Sequence, residues 1–500
     1  MAIKRYIADA DNTITNAFRA NLETRGTGSN MGQSDILEVF SIYAQANSTS
    51  SELERILIKF PVTGTSAGYA SYDREQGNIP ASGSVSFYLR MFNAKHSQTT
   101  PSNFNLIVSA ISQSWNEGLG LDMEDYTDYD TSNWISASST SGWTSEGGDF
   151  YNDASSSFTA SFDSGFEDME LDITPLVEQW INSSGNVLGV KSNYGVGVKL
   201  SSTEEDATQS YYTKKFFARG SQYFFKKPYI EARWDDSKKD QRGSFYYSSS
   251  LAPAEDNLNT IYLYNYVRGQ LKNIPAIGTG TILVSIYSGS SDDTAPSGPK
   301  LALAGGGDVA ANLDLNVTGG YVSTGIYSAS FAFTGSSTLK TIYDVWHSGS
   351  VEYFTASITP KTVETDWPGW AMNPNRQYVS KITNLKSSYS KANTGARFRL
   401  YTRKKDWSPS IYNVSSKIAP IDLVDKAYYK IFRVNDDLEA VSYGTGSSQQ
   451  TLLSYDVSGS YFDFDISLLE SGYTYGIKFV YYTNGQYAEQ QETFKFRVVD

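Results

Sequence analysis

Apolar and polar residues alternate with a period of two along much of this 500-residue chain. In the first half, the alternation is clear at residues 57–60, 85–89, 106–108 and 169–173. Because successive side chains of a β-strand point to opposite faces of a sheet, each segment is predicted to be a strand with one buried face. Residues 224–234 show the same pattern and are predicted to form the strand that closes this first group.

A helical period appears at residues 172–181, where the sequence predicts one short helix. Thr174 is expected to be its N-cap and Pro175 its first residue, because proline lacks the N–H that has no partner at that position. Leu176 and Trp180 would then lie on one apolar face.

Two stretches interrupt the alternation and are predicted to be boundaries: a polar, charged stretch at 235–243, which is typical of a linker, and a Pro- and Trp-containing stretch at 367–374. Further strand-like segments follow at residues 260–267, 281–287, 327–333, 351–358, 378–385, 396–403, 427–434, 461–466, 473–482 and 493–499. The sequence therefore predicts three domains, at residues 1–237, 238–372 and 373–500.

The predicted fold class is all-β, with tandem antiparallel β-sandwiches, the first jelly-roll-like and the other two immunoglobulin-like. Composition agrees, because 14% of the residues are aromatic, led by 37 tyrosines, and such side chains suit a pleated, half-buried surface. The 40 glycines supply the turns that many short strands need.

Charge and cysteine content exclude several classes of partner and of reactive site. The net charge of −13 argues against nucleic acid as a partner, because phosphate binding needs a basic surface. The chain has no cysteine, which excludes disulfides, thiolate metal sites and cysteine nucleophiles.

The N-terminal residues 1–9 lack the apolar region of a secretory signal. No run of about 18 apolar residues is present, so no membrane insertion is predicted. We expect synthesis in a cytoplasm without an export signal.

No catalytic residue is predicted. The chain has only two histidines, His96 and His347, and neither lies near a nucleophile-elbow motif. Paired carboxylates of the glycosidase type stay open, because 54 acidic residues allow many pairs.

An acidic run is the candidate metal site, and calcium is the candidate ion, because hard cations bind several carboxylate oxygens. Its members are Asp122, Glu124, Asp125, Asp128 and Asp130. The alternative is a solvated loop between strands, since the spacing does not match an EF-hand. Residues 312–316 are a second calcium candidate, although their alternation fits a strand equally well. No other cofactor is predicted.

Aromatic side chains near this run are the candidate glycan site, because rings pack on sugar faces while polar groups bind hydroxyls. The candidates are Trp134, Trp143, Tyr126 and Tyr129. For the two tryptophans, a place in the hydrophobic core is an equal alternative. Trp115 and Trp180 are expected in the core.

A series of short motifs follows one order along the first half of the chain. They lie at residues 11–14, 55–60, 114–118, 147–150, 171–177 and 194–199, with Trp134, Trp143 and Trp180 between them. In this order they resemble the DNRLRE-type β-sandwich family, a carbohydrate-binding-module-like domain of surface and structural proteins. The resemblance implies a sandwich with Trp115 and Trp180 in its core and implies no enzymatic activity.

Residues 256–262 and 343–349 resemble segments of structural proteins of tailed marine bacteriophages. This resemblance implies a non-enzymatic virion protein of the neck or collar, tail, fibre or capsid decoration. Its expected partners are other virion proteins, symmetric copies of itself and host surface glycan.

Two other functions stay open. One is a carbohydrate-binding protein or the non-catalytic portion of a glycan-active enzyme, which would present an exposed aromatic platform. The other is a depolymerase, which needs a long cleft with paired acids. Against it, the sequence lacks the repeats of a parallel β-helix.

Overall fold

The computed structural model describes residues 2–129, 131–289, 295–310, 313–333, 339–360, 377–405, 407, 411, 421–483 and 485–500. The chain is nearly all β, with 41% of residues in strands and 7% in helices, which confirms the predicted class of tandem antiparallel sandwiches. It divides into two compact units. The N-terminal unit is Ala2–Asp235 with Thr445–Gln450, and the C-terminal unit is Asp236–Gly444 with Thr451–Asp500. The predicted boundary at residue 372 lies outside the described residues.

The N-terminal unit contains the first group of strands. These are β1 (Ile3–Ile7), β2 (Ala10–Thr15), β3 (Ile36–Tyr43), β4 (Ser51–Lys59), β5 (Ser86–Met91), β6 (Phe104–Ala110), β7 (Ser136–Ser138), β8 (Ser141–Gly142), β9 (Ser157–Phe162), β10 (Met169–Asp172), β11 (Val196–Leu200), β12 (Tyr211–Phe217) and β13 (Tyr229–Arg233). A four-stranded sheet has the order β1-β13-β5-β10. A seven-stranded sheet has the order β12-β3-β4-β11-β6-β9, with β2 also paired to β4.

One hydrophobic core joins these two sheets. Alternate residues of the strands point into it, as with Ile56 and Ile58 of β4 and Phe87 and Leu89 of β5. Such two-layer packing buries one face of each sheet. The opposite face of the seven-stranded sheet carries the candidate site.

The N-terminal unit has three α-helices among the described residues, α1 (Ala70–Glu75), α2 (Thr174–Ile181) and α3 (Ser202–Glu205). The predicted helix corresponds to α2, but its N-cap is Ile173 rather than Thr174. The Thr174 hydroxyl instead accepts a hydrogen bond from the Phe87 N–H at 2.8 Å, which ties the helix to β5.

The predicted closing strand is also shorter than expected, because Phe224–Lys226 is a turn of 3-10 helix and only β13 is extended. None of the helices in the described part of the chain has the length and apolar character needed to cross a membrane.

The second group of strands belongs to the C-terminal unit. Its members are β14 (Asn259–Tyr264), β15 (Tyr266–Val267), β16 (Gln270–Leu271), β17 (Ile282–Ser288), β18 (Lys300–Leu301), β19 (Leu303–Ala304), β20 (Val317–Ser323), β21 (Ile326–Phe333), β22 (Ile342–His347) and β23 (Glu352–Ile358). The main sheet has the order β14-β21-β20-β17-β22-β23 and surrounds its own core, which includes Tyr327 and Trp346.

The third group of strands also belongs to the C-terminal unit. Its members are β24 (Tyr378–Ile382), β25 (Ser388–Ser390), β26 (Ala396–Lys404), β27 (Ala427–Arg433), β28 (Leu438–Val441), β29 (Ser454–Asp456), β30 (Gly459–Phe464), β31 (Thr474–Thr483), β32 (Gln486–Glu489) and β33 (Phe494–Val499). The sheets have the orders β24-β26-β30-β29 and β25-β33-β31-β27-β28. Stacked rings fill the space between them, as with Tyr429 and Phe462, whose centroids are 4.0 Å apart.

The predicted linker at residues 235–243 is in part built into the C-terminal unit, because residues 238–242 form hydrogen bonds with its strands. The Lys238 carbonyl accepts a hydrogen bond from the Tyr455 N–H at 3.0 Å, and the Asp240 N–H donates to the Tyr455 carbonyl at 3.0 Å. This segment is therefore attached to β29 by one parallel bridge, between Lys239 and Tyr455.

The same segment also reaches the second group of strands. Arg242 donates two hydrogen bonds to the carboxylate of Asp344 on β22, both at 2.6 Å. The Asp344 side chain is fully buried, and the Trp346 indole N–H donates to it at 2.7 Å. Residues 238–242 thus connect the second and third groups through backbone hydrogen bonds on one side and a buried ion pair on the other.

Candidate functional site

The outer face of the seven-stranded sheet carries a second hydrophobic cluster. The long connection between β6 and β9 folds back over this face, and we call residues 112–150 the cap. Leu57, whose neighbours on β4 point into the main core, points outward into this cluster and is fully buried by the cap. The other buried members are Ile14, Ile111, Trp134, Ala137 and Trp143.

The structure places Trp134 and Trp143 in the core of the cap, which is the alternative that the sequence left open beside a glycan site. They are only 4% and 8% exposed. The Trp143 indole N–H donates to the Asn133 carbonyl at 2.8 Å, so its polar atom has a partner inside the cap. Trp180 is buried in the main core, and the half-buried Trp115 packs against the cap cluster.

A groove of about 840 Å³ lies beside the cap, where the sheet face is left open. Its floor is formed by outward-facing residues of β4, β6, β9 and β11, and its wall by the end of the cap. The residues that determine its character are Arg55, Ser109, Glu146, Asp149, Phe150, Tyr151, Asn152 and Lys199. The volume falls within the range of small-molecule and glycan sites, about 300–1,000 Å³.

Arg55 holds the groove and the cap together. Its guanidinium forms two hydrogen bonds with the Glu205 carboxylate, at 2.9 and 2.6 Å, and a third with the Gly147 carbonyl at 3.0 Å. It also lies over the Trp134 ring, with its central carbon 4.9 Å from the ring centroid. Three of its N–H groups already have partners, so we assign Arg55 to positioning Glu205, Gly147 and Trp134 beside the groove.

The Phe150 ring packs against the sheet at Gly197 of β11. A side-chain Cβ at position 197 would overlap the Phe150 ring, so glycine makes room for it. The Lys199 ammonium lies 5.5 Å from the centroid of the same ring. Within the described residues, the structure gives this ammonium no carboxylate or carbonyl partner at hydrogen-bond distance. Burial lowers the pKa of Lys199, and the nearby Arg55 lowers it further.

Of the two acidic residues in the wall, Asp149 has a structural role and Glu146 faces solvent. The Asp149 carboxylate accepts hydrogen bonds from the Thr144 N–H at 2.8 Å and from the Ser145 N–H at 2.9 Å, which shapes the cap's last turn. Glu146 is exposed at the rim. The groove thus combines two aromatic rings, hydroxyl and amide groups and one ammonium, a set that suits a polyhydroxylated ligand.

Tyr126 and Tyr129 lie elsewhere on the cap and do not line the groove. They are 66% and 53% exposed. The Tyr129 hydroxyl accepts a hydrogen bond from Arg19. Their role in glycan binding stays a prediction.

The members of the acidic run that the structure describes are not gathered into a metal site. Asp122 accepts hydrogen bonds from three successive backbone N–H groups, those of Glu124, Asp125 and Tyr126, and these bonds lower its pKa. The Glu124 carboxylate accepts from the Ala20 N–H at 2.7 Å.

Asp128 likewise accepts from the Leu119 N–H at 2.7 Å, whereas Asp130 lies outside the described residues. No group of three or more histidine or acidic residues in the described ranges is close enough to hold a metal ion. Part of the second candidate, residue 312, also lies outside those ranges.

His347 is the histidine that forms a hydrogen bond with a serine. Its Nε2 lies 2.7 Å from the Ser285 hydroxyl, and both residues are buried. However, His347 Nδ1 accepts a hydrogen bond from the Gly349 N–H at 3.0 Å, so the proton of the neutral ring is on Nε2. His347 therefore donates to Ser285, which in turn donates to the Asn316 side chain at 2.7 Å.

A general base needs the opposite arrangement, in which the ring accepts the serine proton. Burial also lowers the pKa of His347, which favours the neutral ring. His96 is half-buried, and neither of its ring nitrogens has a hydrogen-bond partner. Neither histidine has the geometry of a catalytic triad.

The groove was not predicted from the sequence. Its signals were the polar residues at outward positions of apolar strands, such as Arg55 on β4, Ser109 on β6 and Lys199 on β11. Each one alone is ordinary for a solvent-facing strand, and only the sheet order brings them side by side.

No protein family matches the chain, and no curated protein matches it. Among solved structures, a mutant of Salmonella alpha-2-macroglobulin is similar at 8% sequence identity with a TM-score of 0.15. The alignment covers 100% of this chain and 34% of that chain, so this chain spans about a third of its length. A likeness at this score supports no inference.

Proposed function

We propose that this chain is a non-enzymatic structural component of a tailed-phage virion, placed in the neck or collar, tail, fibre or capsid decoration and present in symmetric copies. The observation that supports a structural role is the joint made by residues 238–242. Domains linked by a flexible segment move relative to each other by default. Here the connection is bonded to β29 and to the buried Asp344, so the second and third groups of strands would move as one stiff body.

The test is the protein content of purified particles. Particles of a phage that encodes this chain are banded, washed with concentrated salt and measured by quantitative mass spectrometry. We expect the chain in the washed particles at a copy number that matches the symmetry of the neck, tail or capsid. Its presence only in the soluble part of the lysate would refute the proposal.

A second candidate function, glycan binding, is supported by the groove. The Lys199 ammonium faces a site with Phe150 and Tyr151 rings and has no protein acceptor among the described residues. A glycan oxygen would supply that acceptor, and a hydrogen bond to a charged group contributes about 1.5–3 kcal/mol. A virion protein with such a groove would contact host surface glycan.

Substitution of Lys199 tests this candidate. We expect Lys199→Met to weaken binding to any glycan found on an array by roughly tenfold or more, since about 1.4 kcal/mol corresponds to tenfold. The matched control is Lys381→Met, which removes an exposed lysine of β24 in the C-terminal unit. Equal affinity of the two variants, or absence of any glycan signal from the wild type, would remove the groove as a glycan site.

A further inference from the structure

Lys214 of β12 is a lysine with no exposed surface. A lysine side chain is almost never fully buried unless an opposite charge pairs with it. The Lys214 Nζ instead donates to three uncharged oxygens, those of the Gly165 carbonyl at 2.9 Å, the Glu167 carbonyl at 2.7 Å and the Asn93 side-chain amide at 2.8 Å. These contacts place a buried amine directly against a side-chain amide.

The surroundings of Lys214 favour its uncharged form. The Nζ lies 5.0 and 4.8 Å from the ring centroids of Phe162 and Phe216, which belong to the main core. Burial lowers the pKa of Lys214 to about 8, against the opposing effect of the Glu167 and Asp168 charges. A desolvated lysine of this kind is a nucleophile near neutral pH, because only the uncharged amine has a lone pair.

The Asn93 amide is held in place beside this amine. A backbone bridge pairs Asn93 with Phe216, which is two residues from Lys214 and therefore on the same face of β12. The Asn93 N–H also donates to the Asp168 carboxylate at 2.8 Å. The Asn93 Cγ is one bond beyond the oxygen that Lys214 contacts, close to the separation of about 3–3.5 Å from which such attacks begin.

We propose that Lys214 and Asn93 join in an intramolecular isopeptide bond. The uncharged Nζ attacks the Asn93 Cγ, so that an Nζ–Cγ bond forms and the Cγ–Nδ2 bond breaks. A proton passes from Nζ to Nδ2, which leaves as ammonia and takes up the proton that the lysine ammonium carried before the reaction. The products are the new amide and one ammonium ion, and the step consumes no oxidant, reductant or cofactor.

Glu167 is the group that carries the proton between the two nitrogens. Its Oε1 accepts a hydrogen bond from the Ser164 N–H at 2.7 Å, whereas its Oε2 is buried and has no hydrogen-bond partner within the described residues. The backbone carbonyl of the same residue contacts the Lys214 Nζ. A buried carboxylate oxygen without a partner is costly, and transfer of a proton in this step gives it a role.

The bond would join the two sheets of the N-terminal unit. Asn93 follows β5 of the four-stranded sheet, and Lys214 lies in β12, the edge strand of the seven-stranded sheet. The two residues are 121 positions apart, and a cross-link that closes so long a loop strongly restricts the unfolded chain. The inference goes beyond the proposed function and does not rest on it.

The mass of the intact, full-length chain tests the inference. We expect the purified wild type to weigh one ammonia molecule less than its sequence, and a protease digest to contain one branched peptide that joins the segments around Asn93 and Lys214. Lys214→Met and Asn93→Ala should each have the full mass of their sequences. In samples taken at intervals from a cell-free synthesis reaction, Glu167→Gln should form the bond at least tenfold more slowly, and an unchanged rate would overturn the role of Glu167.

The matched control is Lys215→Met, which removes the next lysine of β12, a partly exposed residue paired with Glu38 at 3.0 Å. This variant should still lose one ammonia molecule. A wild type of full sequence mass would overturn the inference, and that result does not depend on the folding of any variant. Loss of ammonia that persists in Lys214→Met would overturn it as well, because it would assign the loss to a succinimide of an asparagine. Detection of the chain in phage particles, or its absence from them, leaves this test unaffected.

Discussion

Arg242→Met is expected to lower the free energy of unfolding of the C-terminal unit by about 3–5 kcal/mol, the range for breaking a buried ion pair. The variant leaves the Asp344 carboxylate, which is fully buried, without its bidentate partner. The Trp346 indole N–H remains as a donor, but one neutral hydrogen bond does not compensate a buried charge. The loss would also detach one side of the joint at residues 238–242.

The control is an ion pair of the same chemistry on the surface. Arg397 binds Asp463 in the same bidentate way, with 45% and 32% of the two side chains exposed. Arg397→Met is expected to cost less than about 1 kcal/mol, because solvent screens an exposed pair. Urea denaturation of both variants measures the two losses in the free energy of unfolding. Equal losses would show that burial of Asp344 is not the reason for the contribution of the Arg242–Asp344 pair.

Trp143→Ala is expected to destabilise the cap by about 3–5 kcal/mol, the usual cost of truncating a buried tryptophan. The indole fills the small cluster between the cap and the outer face of β4, where Leu57 and Trp134 are its neighbours. Because the same connection supplies Asp149 and Phe150 to the groove, glycan binding should be lost together with cap order.

Hydrogen exchange of residues 112–150 measures this effect directly. Trp143→Phe keeps most of the buried area and removes only the indole bond to the Asn133 carbonyl, so we expect a loss of about 1 kcal/mol. Faster exchange throughout the N-terminal unit, rather than in the cap, would mean that the cap does not open as a separate element.

The strands were predictable because alternation is a local property. Of the predicted segments 57–60 and 106–108, residues 57–59 lie in β4 and residues 106–108 lie in β6, and one face of each strand meets the main core. Alternation did not predict the cap. It implies that the outward residues of a strand are exposed, but a strand that is covered on both sides buries its outward residues as well. The consecutive buried pair Leu57 and Ile58 was the available sign of a second layer. It did not reveal which tryptophans would cover it.

The joint could not be predicted for a different reason. A stretch rich in Asp, Lys and Arg is typical of a linker, and residues 235–243 have that composition. The partner of Arg242 is Asp344, 102 residues further along the chain, in a strand whose other residues are mostly apolar. Only the folded sheet shows that the two charges neutralise each other.

The contact between Gly197 and Phe150 has a consequence for finding relatives of this chain. A cap that lays an aromatic ring on β11 requires a residue without a side chain beneath the ring. A homologue that keeps the cap should therefore keep both positions together, and one that has lost the cap is free to change both. The pair is a two-letter signature that separates capped from uncapped members of a lineage, even where the rest of the sequence has diverged beyond recognition.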